Sequence, residues 1–252
     1  MKRAMFGKMA MVGLLAAAAL VACSPAPPQQ AEAARAGNPS GWTRPPRIES
    51  VRRVQTSLIL NGLAEPDARV VLRNDSGAAY AAVADADGRF EIRMAAPEDH
   101  LLLRPETQVG QDSAVSPGRL LILAGGRGPI AVLRAGTSTR RLDAAPALGA
   151  VDSDGGGHLA SGGGADRAVP IEVAAAGETM RVTPDDAGQW SVRLASGAGP
   201  QSIRVGGRDF AWPGPGAAGE DLVVERAGEG WRVDWAGPAG ARQSTWLPDG
   251  AA

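Results

Sequence analysis

The sequence predicts an all-β protein: two tandem β-sandwiches that follow an export leader and a disordered tether. Three observations point there. Short stretches such as "RFEIRM" (Arg89 to Met94) and "QWSVRL" (Gln189 to Leu194) alternate apolar and polar residues, the period of a half-buried strand. No segment beyond the leader carries a sustained helical stripe of apolar residues. The chain also repeats itself at an offset of 100 residues, as between Gly88 and Gly188.

The first element is the leader. In "MKRAMFGKMAMVGLLAAAALVAC", Lys2, Arg3 and Lys8 form a positive start, and an apolar stretch runs from Met9 to Ala22. Residues 1–22 therefore read as a secretory signal, too short for a comfortable membrane span. Its end, "LVAC" (Leu20 to Cys23), resembles the lipobox of bacterial lipoproteins. The resemblance implies cleavage before Cys23 and lipidation of that residue, the sole cysteine of the chain. The partner so implied is a membrane, held through acyl chains that each contribute about 0.8 kcal/mol per buried methylene. Ser24 follows the cysteine where aspartate would imply retention at the inner membrane, so the implied address is the bacterial outer membrane, facing the periplasm or the cell surface. Ordinary secretion with an idle thiol is the competing reading, and it leaves the lone cysteine unexplained.

The tether comes next, residues 23–47. "SPAPPQQAEAARAGNPSGWTRPP" (Ser24 to Pro46) is rich in proline and poor in apolar residues, so it cannot bury a core. As a coil it would reach roughly 25–30 Å. With the leader removed, 23 arginines and no lysine face 27 acidic residues, a net charge of −4. No basic block exists to bind phosphate chains, and nucleic acid is not an expected partner.

The repeat organises the remainder. Laid against itself without a gap from Gly62 to Ala95, the chain matches Gly62 with Gly162, Asp85 with Asp185, Gly88 with Gly188, Phe90 with Trp190 and Ile92 with Val192. The same alignment puts Val71 with Ile171 and Tyr80 with Met180. The first copy predicts strands near 56–61, 69–73, 78–84, 89–94, 101–104, 119–124 and 129–134. The second predicts them near 148–151, 169–174, 178–183, 189–194, 201–205 and 208–212. Three more, near 221–226, 230–235 and 242–246, form a C-terminal meander, too small to stand alone and read as part of the second sandwich. The domains are then 48–145 and 146–252.

"LILNGLAEPDARVVLRNDSGAAYAAVADADGRFEIRM" (Leu58 to Met94) resembles the bacterial immunoglobulin-like and carboxypeptidase-regulatory-like modules. The matching positions are Gly62, Ala64, Pro66, Val70, Asp85, Asp87, Gly88, Phe90 and Ile92, with Asp67 in place of a turn glycine. The second copy keeps Gly162, Asp185, Gly188, Trp190 and Val192 but has Ala187 for the second aspartate. The resemblance implies two immunoglobulin-like sandwiches of a kind that serves as spacer, stalk or accessory domain.

Candidate sites are few. Asp85, Asp87 and Gly88 could be half of a calcium loop, but the first ligand position is Val83 and the twelfth is Met94, neither able to ligate. Asp85, Gly88, Asp185 and Gly188 read instead as structural turns, with aspartate accepting backbone amides and glycine at positive φ. "AVDSDGGGHLASGGGA" (Ala150 to Ala165) offers Asp152, Asp154 and His158 as metal ligands; the alternative is a flexible, glycine-rich hairpin or interdomain connection. His100 is the only other histidine. No G-x-S-x-G elbow is present, and no cofactor is expected. Five of the six tryptophans fall between Trp190 and Trp246. Trp231, Val233 and Trp235 share one strand face and read as buried, whereas Trp212 and Trp246 are expected to be exposed and able to stack on sugars. The expectation is a non-catalytic outer-membrane lipoprotein that presents its domains as a binding or spacer module. The alternatives are a glycan-binding lipoprotein using Trp212 and Trp246, or an accessory subunit of an envelope enzyme. An envelope protein or polysaccharide is the implied partner.

Overall fold

The computed structural model describes residues 43–250 apart from 196–198, 217–221, 238–239 and 241. The leader, Cys23 and the tether up to residue 42 lie outside the described residues. The first ten strands are β1 (Arg47–Val54), β2 (Ser57–Leu63), β3 (Arg69–Arg73), β4 (Ala79–Val83), β5 (Arg89–Ala95), β6 (Leu101–Val109), β7 (Asp112–Val115), β8 (Gly118–Ile122), β9 (Ile130–Arg134) and β10 (Arg140–Arg141). They form a three-stranded sheet, β1-β2-β5, and a seven-stranded sheet, β10-β9-β8-β6-β3-β4 with β7 beside β6. The next ten are β11 (Ala150–Ser153), β12 (His158–Gly162), β13 (Ile171–Ala175), β14 (Glu178–Val182), β15 (Trp190–Leu194), β16 (Gln201–Val205), β17 (Arg208–Trp212), β18 (Val223–Arg226), β19 (Gly230–Ala236) and β20 (Arg242–Pro248). They form a six-stranded sheet, β15-β12-β11-β20-β19-β18, and a four-stranded sheet, β14-β13-β16-β17. The protein is all-β, with a three-residue 3-10 turn at Ala124–Gly126.

The two halves share a plan. β1-β2-β5 corresponds to β11-β12-β15, and β4-β3-β6-β8 corresponds to β14-β13-β16-β17. Gly62 faces Phe90 and Gly162 faces Trp190 across equivalent strand pairs. A Cβ on either glycine would run into that ring, 2.5 Å from Phe90 and 2.7 Å from Trp190, so each aromatic is accommodated by the missing side chain opposite. The ungapped alignment needs one correction. Leu72 pairs with Tyr80, but Val173 pairs with Met180, which places β13 an extra residue along. Five residues separate the paired Arg73 and Ala79, and four separate their counterparts Ala174 and Thr179. Ile171 is thus the counterpart of Val70, not of Val71. Asp67, standing where the resembled pattern has glycine, adopts a φ of 60°.

Each sandwich buries its own core. Val51, Leu60 and Ile92 from one sheet meet Leu72, Leu103 and Ile122 from the other in the first half. Val151, Trp190 and Trp246 meet Val173, Ile203 and Trp212 in the second. A third cluster joins the halves. Leu102, Leu121, Leu123, Ala131 and Leu133, on the other side of the seven-stranded sheet, pack on Ala150, Val233, Trp235 and Leu247 of the six-stranded sheet. Four sheets are thereby stacked through three apolar layers, and from Thr43 onward the chain is one compact unit. The two central sheets are covered on both faces. This accounts for the uninterrupted apolar run Leu120–Leu123, whose side chains alternate between the first core and the seam.

Four strands were not anticipated, the shortest being the two-residue β10. β1 precedes the first expected strand, because a bulge between Ile48 and Ser50 breaks its alternation while Ile48 and Val51 still point inward. β7 is a short continuation of the β6 hairpin. β12 occupies a stretch whose glycines suggested a flexible hairpin or a connection, and it forms the second arm of a hairpin with β11. The meander joins the second sandwich through β20, which pairs with β11 and places Trp246 beside Val151.

Candidate functional site

The repeated turn is the most regular polar feature. Asp85 Oδ1 accepts the N–H groups of Asp87 at 2.9 Å and Arg89 at 2.8 Å. Asp185 Oδ1 accepts those of Ala187 and Gln189 at the same two distances. Gly88 and Gly188 follow at φ of 77° and 70°. A Cβ at either would come within 2.5 Å of the Ala64 carbonyl or 2.6 Å of the Ala165 carbonyl. These carboxylates bind their own backbone.

The densest polar cluster lies at the seam. Alternation along β11 points Val151 and Ser153 toward the second core and Asp152 toward the first sandwich. Asp152 is buried and accepts three hydrogen bonds. Thr139, in the turn between β9 and β10, donates its N–H to Oδ2 at 2.7 Å and its hydroxyl to Oδ1 at 2.6 Å. Thr245 on β20 donates its hydroxyl to Oδ1 at 2.8 Å, and the indole N–H of Trp235 backs that hydroxyl at 3.3 Å. Ser161 closes the set by donating to the Thr139 carbonyl at 3.3 Å. Burial pushes the Asp152 carboxyl up to about 6, against the downward pull of the threonine hydrogen bonds. Beside it Arg141, held bidentate by Asp143, donates to the Gly149 and Pro248 carbonyls at 3.0 Å each. The first sandwich thus reaches into the second through Thr139 and Arg141.

The proposed ligand trio does not converge as a metal site. Asp152 faces the seam. His158 faces the second core, with Nδ1 2.8 Å from Ser153 Oγ and its ring edge-on to Trp212 at 4.7 Å. Asp154 sits in the turn, where the Gly156 and Gly157 amides hold its carboxyl below the usual range. All three border a hollow of about 60 Å³ shared with Arg193 and Gln243, room for a few water molecules and far below an organic substrate. No three His, Cys, Asp or Glu side chains among the described residues are grouped to hold a metal. His100 lies elsewhere: its Nδ1 accepts the Ala124 N–H at 3.1 Å, and its ring meets Trp231 edge-on at 5.2 Å, another contact between the halves. A shallower concavity of about 270 Å³ crosses the outer face of the four-stranded sheet beside the Arg204–Asp209 ion pair.

The expected exposure of Trp212 and Trp246 is overturned. They are 1% and 2% exposed. Both belong to the second core, and Trp246 donates its indole N–H to the Ala227 carbonyl at 2.9 Å. The six-stranded sheet has no solvent-facing side here. One face carries Val233 and Trp235 into the seam, and the other carries Trp246 into the second core. Trp231 is the partly accessible indole of this region, stacked by Arg226 at 4.8 Å. Sequence reasoning missed Thr139, Ser161 and Thr245, which are distant in the chain and meet only because the two sandwiches pack face to face. A comparison with known families finds no family model that matches the chain, and a comparison with curated proteins finds no match.

Proposed function

We propose that the chain is a non-catalytic lipoprotein of the bacterial outer membrane, anchored through Cys23, which presents two immunoglobulin-like sandwiches as one rigid binding or spacer body in the cell envelope. The observation that carries this reading is the third apolar layer. A flexible string of modules needs no core between them, whereas a spacer that sets a distance does. The polar groups at the seam serve the same end: Asp152, Thr139 and Thr245 are spent on one another, and Arg141 on carbonyls of the partner sandwich. Support for the anchor comes from "LVAC" and the proline-rich segment after it, which separates the body from the lipid. The tryptophans once available for sugar stacking are inside, so glycan binding through Trp212 and Trp246 is set aside.

The test is metabolic labelling with palmitate followed by membrane fractionation. The native chain takes up label and travels with the outer membrane. Cys23→Ser takes up none and leaves that fraction. Label persisting in the variant, or a native chain recovered unlabelled, would remove the anchor and the reading with it.

A further inference from the structure

Nine described strands lie at a sheet edge: β1 and β5, β4, β7 and β10, β15 and β18, and β14 and β17. An open edge presents unpaired N–H and C=O groups to any passing strand, and proteins commonly blunt it with charge or proline. Eight of the nine carry at least one charged side chain, as Glu178 and Arg181 do on β14 and Asp209 does on β17. β4, with the sequence Ala-Tyr-Ala-Ala-Val, carries none. The uncharged run extends beyond the strand, from Ser76 to Ala84. Duplication supplies an internal control, because β14 is the counterpart of β4. Where β4 has Ala81, β14 has Arg181, which forms an ion pair with Glu172 at 3.8 Å. On the outer face of β4, Val83 is 64% exposed, the most of any large apolar side chain described.

We propose that β4 is an interface, and that its occupant is β4 of a second copy of this chain, paired antiparallel to join two seven-stranded sheets into one. The strand suits itself as a partner. A twofold axis through Ala81 sets Val83 of one copy against Ala79 of the other and Tyr80 against Ala82, so no charges meet and the exposed valines are covered. Such a pairing uses the β4 edge of both copies, and the remaining edges carry charge, which gives a closed dimer in place of a growing fibre. β4 lies two strands beyond β6, the nearest strand to contribute to the seam, and its outward residues Ala79, Ala81 and Val83 are exposed. The dimer is independent of the lipid anchor.

Five paired residues make a small interface, so the dimer is concentration-dependent. Sedimentation equilibrium on the chain from residue 24 onward, which holds the whole compact unit, reads it. The mass should rise toward twice that of the monomer between low micromolar and millimolar concentration. Ala81→Lys brings two ammonium groups face to face at the twofold axis and should stay monomeric throughout. Val115→Lys, on the same sheet but away from this edge, should dimerise like the native chain. Val83→Lys repeats the test should Ala81→Lys fail to fold. A native chain that stays monomeric at the highest concentration, even if β4 then captures an extended peptide from another protein, overturns the proposal. So does a lysine variant that still dimerises.

Discussion

Asp152 is a carboxylate surrounded by donors yet still held near a pKa of 6, which makes its ionisation work against the fold. Unfolded, it titrates near 3.8, so the native state binds a proton more tightly than the unfolded chain does. Its contribution to stability is therefore full below about pH 4 and is lost as pH rises through 6. Two pKa units and a fraction correspond to roughly 3 kcal/mol by neutral pH, an upper figure for one buried group. Asp154, Asp209 and Asp249 are shifted the other way and lose their contributions only at more acidic pH, so the interval between 4 and 6 belongs to Asp152 among these four carboxyl groups. Asp152→Asn keeps an acceptor for the Thr139 amide, and its own N–H can donate to a threonine hydroxyl that turns to accept. Denaturant melts between pH 4 and 7.5 should show native stability falling with pH relative to the variant, and Asp152→Asn as stable as the native protein or more so at pH 7.5. A variant markedly weaker at neutral pH would show that the charged form is the one the seam prefers.

At the scale of strands and turns, the copies offer paired experiments. Gly88 and Gly188 close the same Asp-turn, at positive φ and under a neighbouring carbonyl, although Asp87 in one has become Ala187 in the other. Gly88→Val and Gly188→Val should each cost roughly 1–3 kcal/mol from backbone strain, and by similar amounts, measured as a shift in denaturant midpoint. A loss in only one copy would mean that the turns differ in more than sequence. These turns were legible because their determinants are local: an aspartate, a glycine three residues on, and an alternating strand after them. β12 was not, since its glycine and alanine positions carry no strand signal by themselves; Gly162 is small for the sake of Trp190, 28 residues away. β1 was hidden for a different reason, its bulge at Glu49 spoiling the period by one residue. Trp212 and Trp246 show the limit most plainly. Alternation tells which side chains share a face, but only the neighbouring layer decides whether that face is wet, and here each tryptophan is covered by the opposite sheet of the second sandwich.

Across the whole molecule, the seam should determine how the protein unfolds. Val233 and Trp235 on β19 belong to the second sandwich, while Leu121 and Leu133 facing them belong to the first, and all four are fully or almost fully buried. Neither sandwich can lose its structure without exposing the apolar face of its partner, so the two should melt together. Calorimetry of the native chain should give one transition, with calorimetric and van't Hoff enthalpies in agreement. Val233→Asp would place an unpaired carboxylate in that layer, at a cost of several kcal/mol that falls on the seam and the second sandwich while sparing the first core of Leu60, Leu72 and Leu103. The single transition should then divide, with the first sandwich melting separately at the higher temperature. Two resolved transitions in the native chain would mean that the apolar layer couples the halves too weakly to fix their geometry, and a spacer built on that geometry would lose its physical basis.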